Sequence, residues 1–217
     1  MHVKDFFTAQ DLEKIKTAVG QAEGGTGGEI VPAVVAASDH YDEAAWTGAT
    51  IGAITLPLTA ALVHHGVELW GIPSPAWIAL PAALGAVLGF LAARIPLIKR
   101  GLIPRHERAR QVEQRAAAAF LEHEVFATRD RSGVLIFLSL FERRVVVLGD
   151  SGINAKVAQS DWDAVSATIV AGIKDGHPAD ALVAAVGQVG ELLARCGVTR
   201  RDDDTDELAD GLRIETE

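Results

Sequence analysis

Apolar positions along the chain fall into three patterns: helical stripes, short continuous runs and two long uncharged blocks. The first stripe opens at Thr8, an acceptable N-cap with Asp11 three residues on. It sets Leu12, Ile15, Val19 and Ala22 on one face until Gly24, Gly25, Gly27 and Gly28 end it. Glu29 to Ala37 is a mostly apolar run (Ile30, Val31, Val34, Val35) that predicts a buried strand, with Pro32 as the one objection. Arg105 to Ala127 predicts a long helix with Val112, Ala116, Ala119, Phe120 and His123 on one stripe. Val134 to Leu140 and Arg144 to Leu148, linked by Phe141, Glu142 and Arg143 and closed by Gly149 and Asp150, predict a β-hairpin. Ser160 is the expected cap of a helix facing inward through Trp162, Val165, Ile169 and Ile173. Pro178 opens a last helix carrying Leu182, Val186, Val189 and Leu193, which Gly197 closes. This succession predicts an α/β domain, a small sheet with helices on both faces.

The two uncharged blocks interrupt that domain. No Asp, Glu, Lys or Arg lies between Glu43 and Glu68 or between Glu68 and Arg94, gaps of 24 and 25 residues. A hydrocarbon core about 30 Å thick needs about 20 apolar residues, so two helical spans are expected, near Trp46 to Val63 and Ala76 to Ala93. The connection holds His64, His65, Gly66, Glu68, Gly71, Pro73 and Pro75 and no Lys or Arg, whereas Arg94, Lys99, Arg100 and Arg105 follow the second block. The positive-inside rule then places both termini in the cytoplasm and the protein in the inner (plasma) membrane with two spans. Gly48 and Gly52, and Gly85 and Gly89, have the spacing that lets helices approach closely, and Trp46, Trp70 and Trp77 fall near the span ends. A buried helical pair in a soluble core is the alternative, disfavoured by runs this long in so short a chain. The expected organisation is residues 1–43 and 99–200 as the two parts of one cytoplasmic domain, 44–98 as an inserted transmembrane hairpin, and 201–217 as an acidic tail.

Composition sharpens this picture through its distribution. The chain has 217 residues, 49% hydrophobic, 23% charged, with a net charge of −9. Residues 202–217 carry −7 of that charge, so the remainder is close to neutral, and residues 94–115 are locally +5. These values exclude a disordered chain, a disulfide scaffold and a simple soluble enzyme. The basic stretch beside the hairpin makes Lys99, Arg100, Arg105 and Arg108 candidates for anionic lipid headgroups, with the lipid bilayer as partner. Nucleic acid is not expected, because no recognition motif surrounds those residues. Cys196 is alone, which forbids an intramolecular disulfide and reads as a small buried hydrophobe. The N-terminus lacks the succession of a cleavable signal peptide.

Several stretches carry a family likeness. Ala119-Phe120, Thr128, Arg129, Gly133 to Ile136, Glu142-Arg143, Val146, Gly149-Asp150, Gly152-Ile153 and Trp162 resemble the TPM domain family. Thr26 to Val31 is similar to that family's first strand and its approach. Asp206-Glu207-Leu208-Ala209-Asp210 resembles the Asn-Glu-Leu-Pro-Asp/Asn ending of its membrane-embedded bacterial branch, with Asp for Asn and Ala for Pro. The resemblance implies an α/β/α sandwich around a short mixed sheet. It also implies roles attributed to various members: repair or modulation of membrane proteins, acid-phosphatase activity and calcium binding.

The chemistry-bearing residues cluster at expected strand ends. Glu29 opens the first strand, Asp39 follows its end, Asp130 precedes the second and Asp150 closes the third, an oxygen donor set suited to calcium or magnesium if they converge. Asp150-Ser151-Gly152 is equally an ordinary turn. A phosphatase would need a cation on the phosphate, for which Arg129, Arg131 and Arg143 are the candidates, and a nucleophile that no Asp-x-Asp, Cys-x5-Arg or P-loop motif supplies. No catalytic residue and no organic cofactor are assigned. His64, His65 and Glu68 suit interfacial anchoring better than metal chelation, and the acidic stretch 202–210 is expected as a solvated tail. The alternative there is Glu207-Leu208 docking as a short peptide onto the domain or a partner. The leading expectation is a membrane-anchored interaction module for membrane-protein partners, aiding their assembly or turnover, with a metal-dependent acid-phosphatase-like hydrolase second. A channel is disfavoured, since the spans hold no ionisable residue but His64 and His65. Homo-oligomers through the paired glycines are allowed.

Overall fold

Thr8 starts the first helix as expected. Its hydroxyl accepts from the Asp11 N–H at 3.2 Å while Asp11 Oδ2 accepts from the Thr8 N–H at 2.9 Å, a reciprocal capping box. Helix α1 (Ala9–Gly24) follows, then strand β1 (Glu29–Val35). The computed structural model describes residues 3, 6–66, 75–200 and 207–215. Glu68, Trp70, Gly71 and Pro73 of the connection, Met1, His2, Lys4 and Asp5, and the acids Asp202, Asp203, Asp204, Asp206 and Glu217 lie outside the described residues. Residues 1–38 with 109–217 form one compact unit and residues 39–108 another.

The first unit is built on a four-stranded mixed sheet formed by β1, β2 (Gly133–Ser139), β3 (Arg144–Gly149) and β4 (Arg213–Glu215), in the order β3-β2-β1-β4. Strand β2 runs parallel to β1, from Glu29 opposite Gly133 to Val35 opposite Ser139, and antiparallel to β3. Both β1 and β2 are buried along all seven residues, which explains their continuous apolar runs. Alternation divides the core. Ile30, Val34, Val134 and Ile136 join the cluster that includes Ile15 and Val19 of α1, and Leu182 and Val186 further along the chain. Val31, Ala33, Val35, Leu135 and Phe137 join Val112, Ala116 and Ala119 on the other face. Helix α5 (Arg105–Glu122) supplies that second layer. It stops five residues before the expected end, because Glu124 adopts φ 53° and a 3-10 turn takes Val125–Ala127.

After β3 come a short helix α6 (Ser151–Asn154), then α7 (Gln159–Lys174) and α8 (Pro178–Arg195). Helix α7 begins after Ala158 rather than at Ser160, since Asp161 reaches back to the Ala158 N–H at 3.3 Å. The C-terminal segment differs most from expectation. Residues 213–215 are strand β4 (Arg213–Glu215), parallel to β1 with Ala33, Val34 and Val35 opposite Arg213, Ile214 and Glu215. Pairing with β4 begins only after Pro32. A residue without an N–H donor thus sits where β1 has a described neighbour on one side alone.

The second unit contains α2 (Asp42–Gly66), α3 (Ala76–Ala92) and α4 (Pro96–Leu102). Glycines form the seam between α2 and α3. A Cβ on Gly48 would stand 2.5 Å from the Gly89 carbonyl oxygen, and one on Gly52 2.0 Å from that of Gly85. Trp46 meets the Phe90 ring edge-on at 5.6 Å, and His64 stacks on Trp77 at 5.7 Å. The outer faces are apolar and open: Leu62 is 74% exposed, Leu80 70% and Ile78 67%. Helix α2 from Asp42 to His65 is long and apolar enough by itself to cross a membrane. Helix α3 meets that measure only jointly with α4, across a bend of 105°. Lys99 donates to the His40 carbonyl, which ties α4 to the segment before α2.

Candidate functional site

Because β1 and β2 are parallel and β3 antiparallel to β2, one edge of the sheet gathers the starts of β1 and β2 and the end of β3. Four segments meet there: the glycine-rich loop after α1, the loop 128–132 before β2, the turn Asp150-Ser151-Gly152, and residues 207–208. Short side chains knit the loops together. Ser132 Oγ donates to the Gly27 carbonyl at 2.8 Å, and the Ser132 N–H to Thr128 Oγ1 at 2.9 Å. The Gly28 N–H donates to Thr26 Oγ1 at 3.3 Å, and Glu23 Oε1 accepts from the Ile30 N–H at 2.7 Å. Thr26, Thr128 and Ser132 are all buried. Sequence patterning passes over such small hydroxyl residues, because turns everywhere use them.

Two carboxylates are buried at this edge. Asp150, 5% exposed, caps α6 by accepting from the Ser151 N–H at 2.6 Å, and its Oδ2 lies 2.8 Å from Arg131 Nε. That second contact is an ion pair off the line of a hydrogen bond. Arg131 holds φ 55° and sets its guanidinium 6.0 Å from the Phe126 ring. Its backbone is fixed through the Gly152 N–H, which donates to the Arg131 carbonyl at 3.1 Å. Gly152 is required there, since a Cβ would stand 2.4 Å from the Asp130 carbonyl oxygen. Glu29, 8% exposed, is reached by the backbone N–H groups of Glu207 and Leu208, each at 3.4 Å, while Glu207 Oε2 accepts from the Arg129 N–H at 3.0 Å. The docked form of Glu207-Leu208 is therefore the one adopted, and Leu208 packs against the core cluster around Phe137.

The structure sorts the expected site residues accordingly. Glu29, Asp130, Asp150, Arg129 and Arg131 share this edge. Asp39 follows the opposite end of β1, and exposed Arg143 occupies the β2–β3 turn at φ 54°, also away from it. Among the described residues, no three His, Cys, Asp or Glu side chains converge as a metal cage. At this edge Asp150 is engaged by the cap of α6 and by an arginine, and Glu29 by backbone donors. The opposite edge holds a buried polar group, at a residue expected only as part of the β2–β3 link and of the family likeness. Glu142, 2% exposed, accepts from the Ser38 N–H at 2.9 Å and from the Ser139 hydroxyl, which lies 2.9 Å from Ser38 Oγ. Lys99 and Arg100 lie on α4, and Arg105 and Arg108 open α5.

No curated protein matches this chain. A solved structure shares the fold: the BA42 protein of the psychrophilic bacterium Bizionia argentinensis, determined by NMR, is 20% identical and is covered over 98% of each chain with a TM-score of 0.59. Residues 102–192, a stretch that includes Asp130, Arg131 and Asp150 but neither Glu29 nor the C-terminal strand, match the TPM domain family.

Proposed function

We infer that the protein is a membrane-tethered interaction module, a TPM-type α/β domain that binds other membrane proteins and assists their assembly or turnover. The observation that carries the tether is the outward face of α2 and α3. Large apolar side chains there stand open, Leu62, Leu80 and Ile78 among them, while the glycines pack helix to helix. Such a face is costly in water and favourable in lipid. Both helices enter the bilayer as a hairpin in this reading, with the termini in the cytoplasm and Lys99, Arg100, Arg105 and Arg108 at anionic headgroups, worth about 1 kcal/mol per cation near the surface. Binding rather than catalysis is favoured by the polar edge, where the buried carboxylates are already engaged with Arg131, Ser151 and the C-terminal backbone.

Cysteines introduced at Gly66 and at Thr205 test the topology. A membrane-impermeant thiol reagent applied to intact cells should label the first and spare the second, and the reverse pattern overturns it. Site-specific photocrosslinking from the domain in native membranes should then capture membrane proteins. A second reading, a metal-dependent acid-phosphatase-like hydrolase, has in its favour Asp130, Asp150, Glu29, Arg129 and Arg131 at one edge. Phosphate-ester hydrolysis lost both on chelation of calcium or magnesium and in Asp150→Ala would establish it over the binding reading.

A further inference from the structure

Residues 207–215 lie across the first unit as a strap. At one end Glu215, its side chain 12% exposed, is held by His123 Nε2 at 2.8 Å and by the Arg115 guanidinium. Ile214 packs into the opposite face with the α1 and α8 cluster, as alternation along a strand requires. At the other end Leu208 fills a place beside the second core cluster, and Glu29 receives the strap's backbone. The strap thus combines three recognition elements: main-chain pairing with Ala33–Val35, an apolar contact, and capture of one acid by two basic side chains.

Its fit is looser than that of the rest of the sheet. The strand is three residues long, and the contacts to Glu29 are at the limit of hydrogen-bond length. Two of its atoms, Asp210 Oδ1 and Arg213 Nε, are buried without a hydrogen-bond partner. Unsatisfied buried polar atoms lower the local stability of the segment that carries them, and weakly held edge elements open before the core does. Opening would expose the outer edge of β1, a template for another strand.

We propose that the strap occupies a peptide-binding groove. The edge of β1 at Ala33–Val35, with Arg115 and His123 beside it and Glu29 at its far end, takes in trans an extended peptide of a partner protein. That peptide presents an apolar residue followed by an acidic one, as Ile214 and Glu215 do in cis. This deepens the interaction reading and rests on it. The tethered strap competes at an effective concentration in the mM range, so it sets the threshold a partner must exceed.

The test uses the full chain in detergent and a fluorescein-labelled peptide with the sequence of residues 207–215. The variant Ile214→Asp with Glu215→Ala loosens the strap and leaves the groove unaltered. It should bind the peptide at least tenfold more tightly than the wild-type chain, and adding Arg115→Ala should remove that gain. Equal binding by the loosened and wild-type chains, or binding indifferent to Arg115→Ala, overturns the proposal. Amide exchange on the wild-type chain covers the case in which the loosened variant does not fold. Residues 212–215 should exchange at least tenfold faster than Leu135–Phe137, and equal protection overturns the proposal. Dimers of the loosened chain that exclude the peptide would assign the groove to a second copy instead. Neither measurement involves the bilayer, so failure here leaves the thiol-labelling test of the tether standing.

Discussion

Gly52 and Gly85 face each other so closely that a Cβ on Gly85 would lie 2.1 Å from the Gly52 carbonyl oxygen. Backbone atoms cannot yield as a flexible side chain does. Gly52→Val should therefore splay the pair and cost about 1–3 kcal/mol of stability, read as a lower melting temperature in detergent. Gly101→Ala, with nothing within 4 Å of the added methyl, should be neutral or slightly stabilising. Equal melting temperatures for the two variants would argue against the glycine seam.

Arg131 and Asp150 divide unequally in their effect on stability. Arg131 is 53% exposed at its side chain, so solvent screens its half of the pair, and Arg131→Ala should cost about 1 kcal/mol or less. Asp150→Ala also removes the cap of α6 and should cost about 2 kcal/mol. Denaturant midpoints at constant m-value test the order, and a larger loss in Arg131→Ala would contradict it.

Glu142 anchors the opposite edge of the sheet. Glu142→Ala leaves the Ser38 N–H and the Ser139 hydroxyl without their buried acceptor, and a loss of about 2–3 kcal/mol is expected. Glu142→Gln keeps an acceptor in place and should retain part of the stability. Chemical denaturation of the two variants should separate them in that order.

Acid should loosen the start of α1. The Thr8 N–H, and then the Thr8 hydroxyl, hold the Asp11 carboxyl below the usual carboxylate range. A group whose pKa is lower folded than unfolded favours folding when deprotonated. Its contribution is thus complete above the ordinary carboxylate pKa and is lost as pH falls through the lowered value. An NMR titration of Asp11 should show this depressed midpoint. Thr8→Ala, which keeps the backbone donor, should recover only part of the shift.

What was legible in the sequence was local. The Thr8–Asp11 cap, the β2–β3 hairpin and the paired glycines each announce themselves within a few residues. Strand β4 did not, because Arg213-Ile214-Glu215 in an acidic stretch has no apolar run, and its hold depends on Arg115, His123 and β1, all distant in sequence. The break after α5 escaped for a related reason: no Gly or Pro marks Glu124, whose positive φ is imposed by the turn. Strand direction was equally hidden. Periodicity distinguishes a strand from a helix but does not orient it. Grouping Asp150 with Glu29 and excluding Asp39 follows only once β1 and β2 are known to be parallel.

The place of α2 and α3 within the chain has a consequence for biosynthesis. On the ribosome β1 is made before the apolar helices, whereas both strands that flank it, β2 and β4, are made after them. The sheet's central pairing cannot close until α2 and α3 have left the exit tunnel, and the slow, long-range step of domain folding is deferred to that moment. Until then Ile30, Val31, Val34 and Val35 form a hydrophobic segment without its sheet partners, exposed to off-pathway contacts.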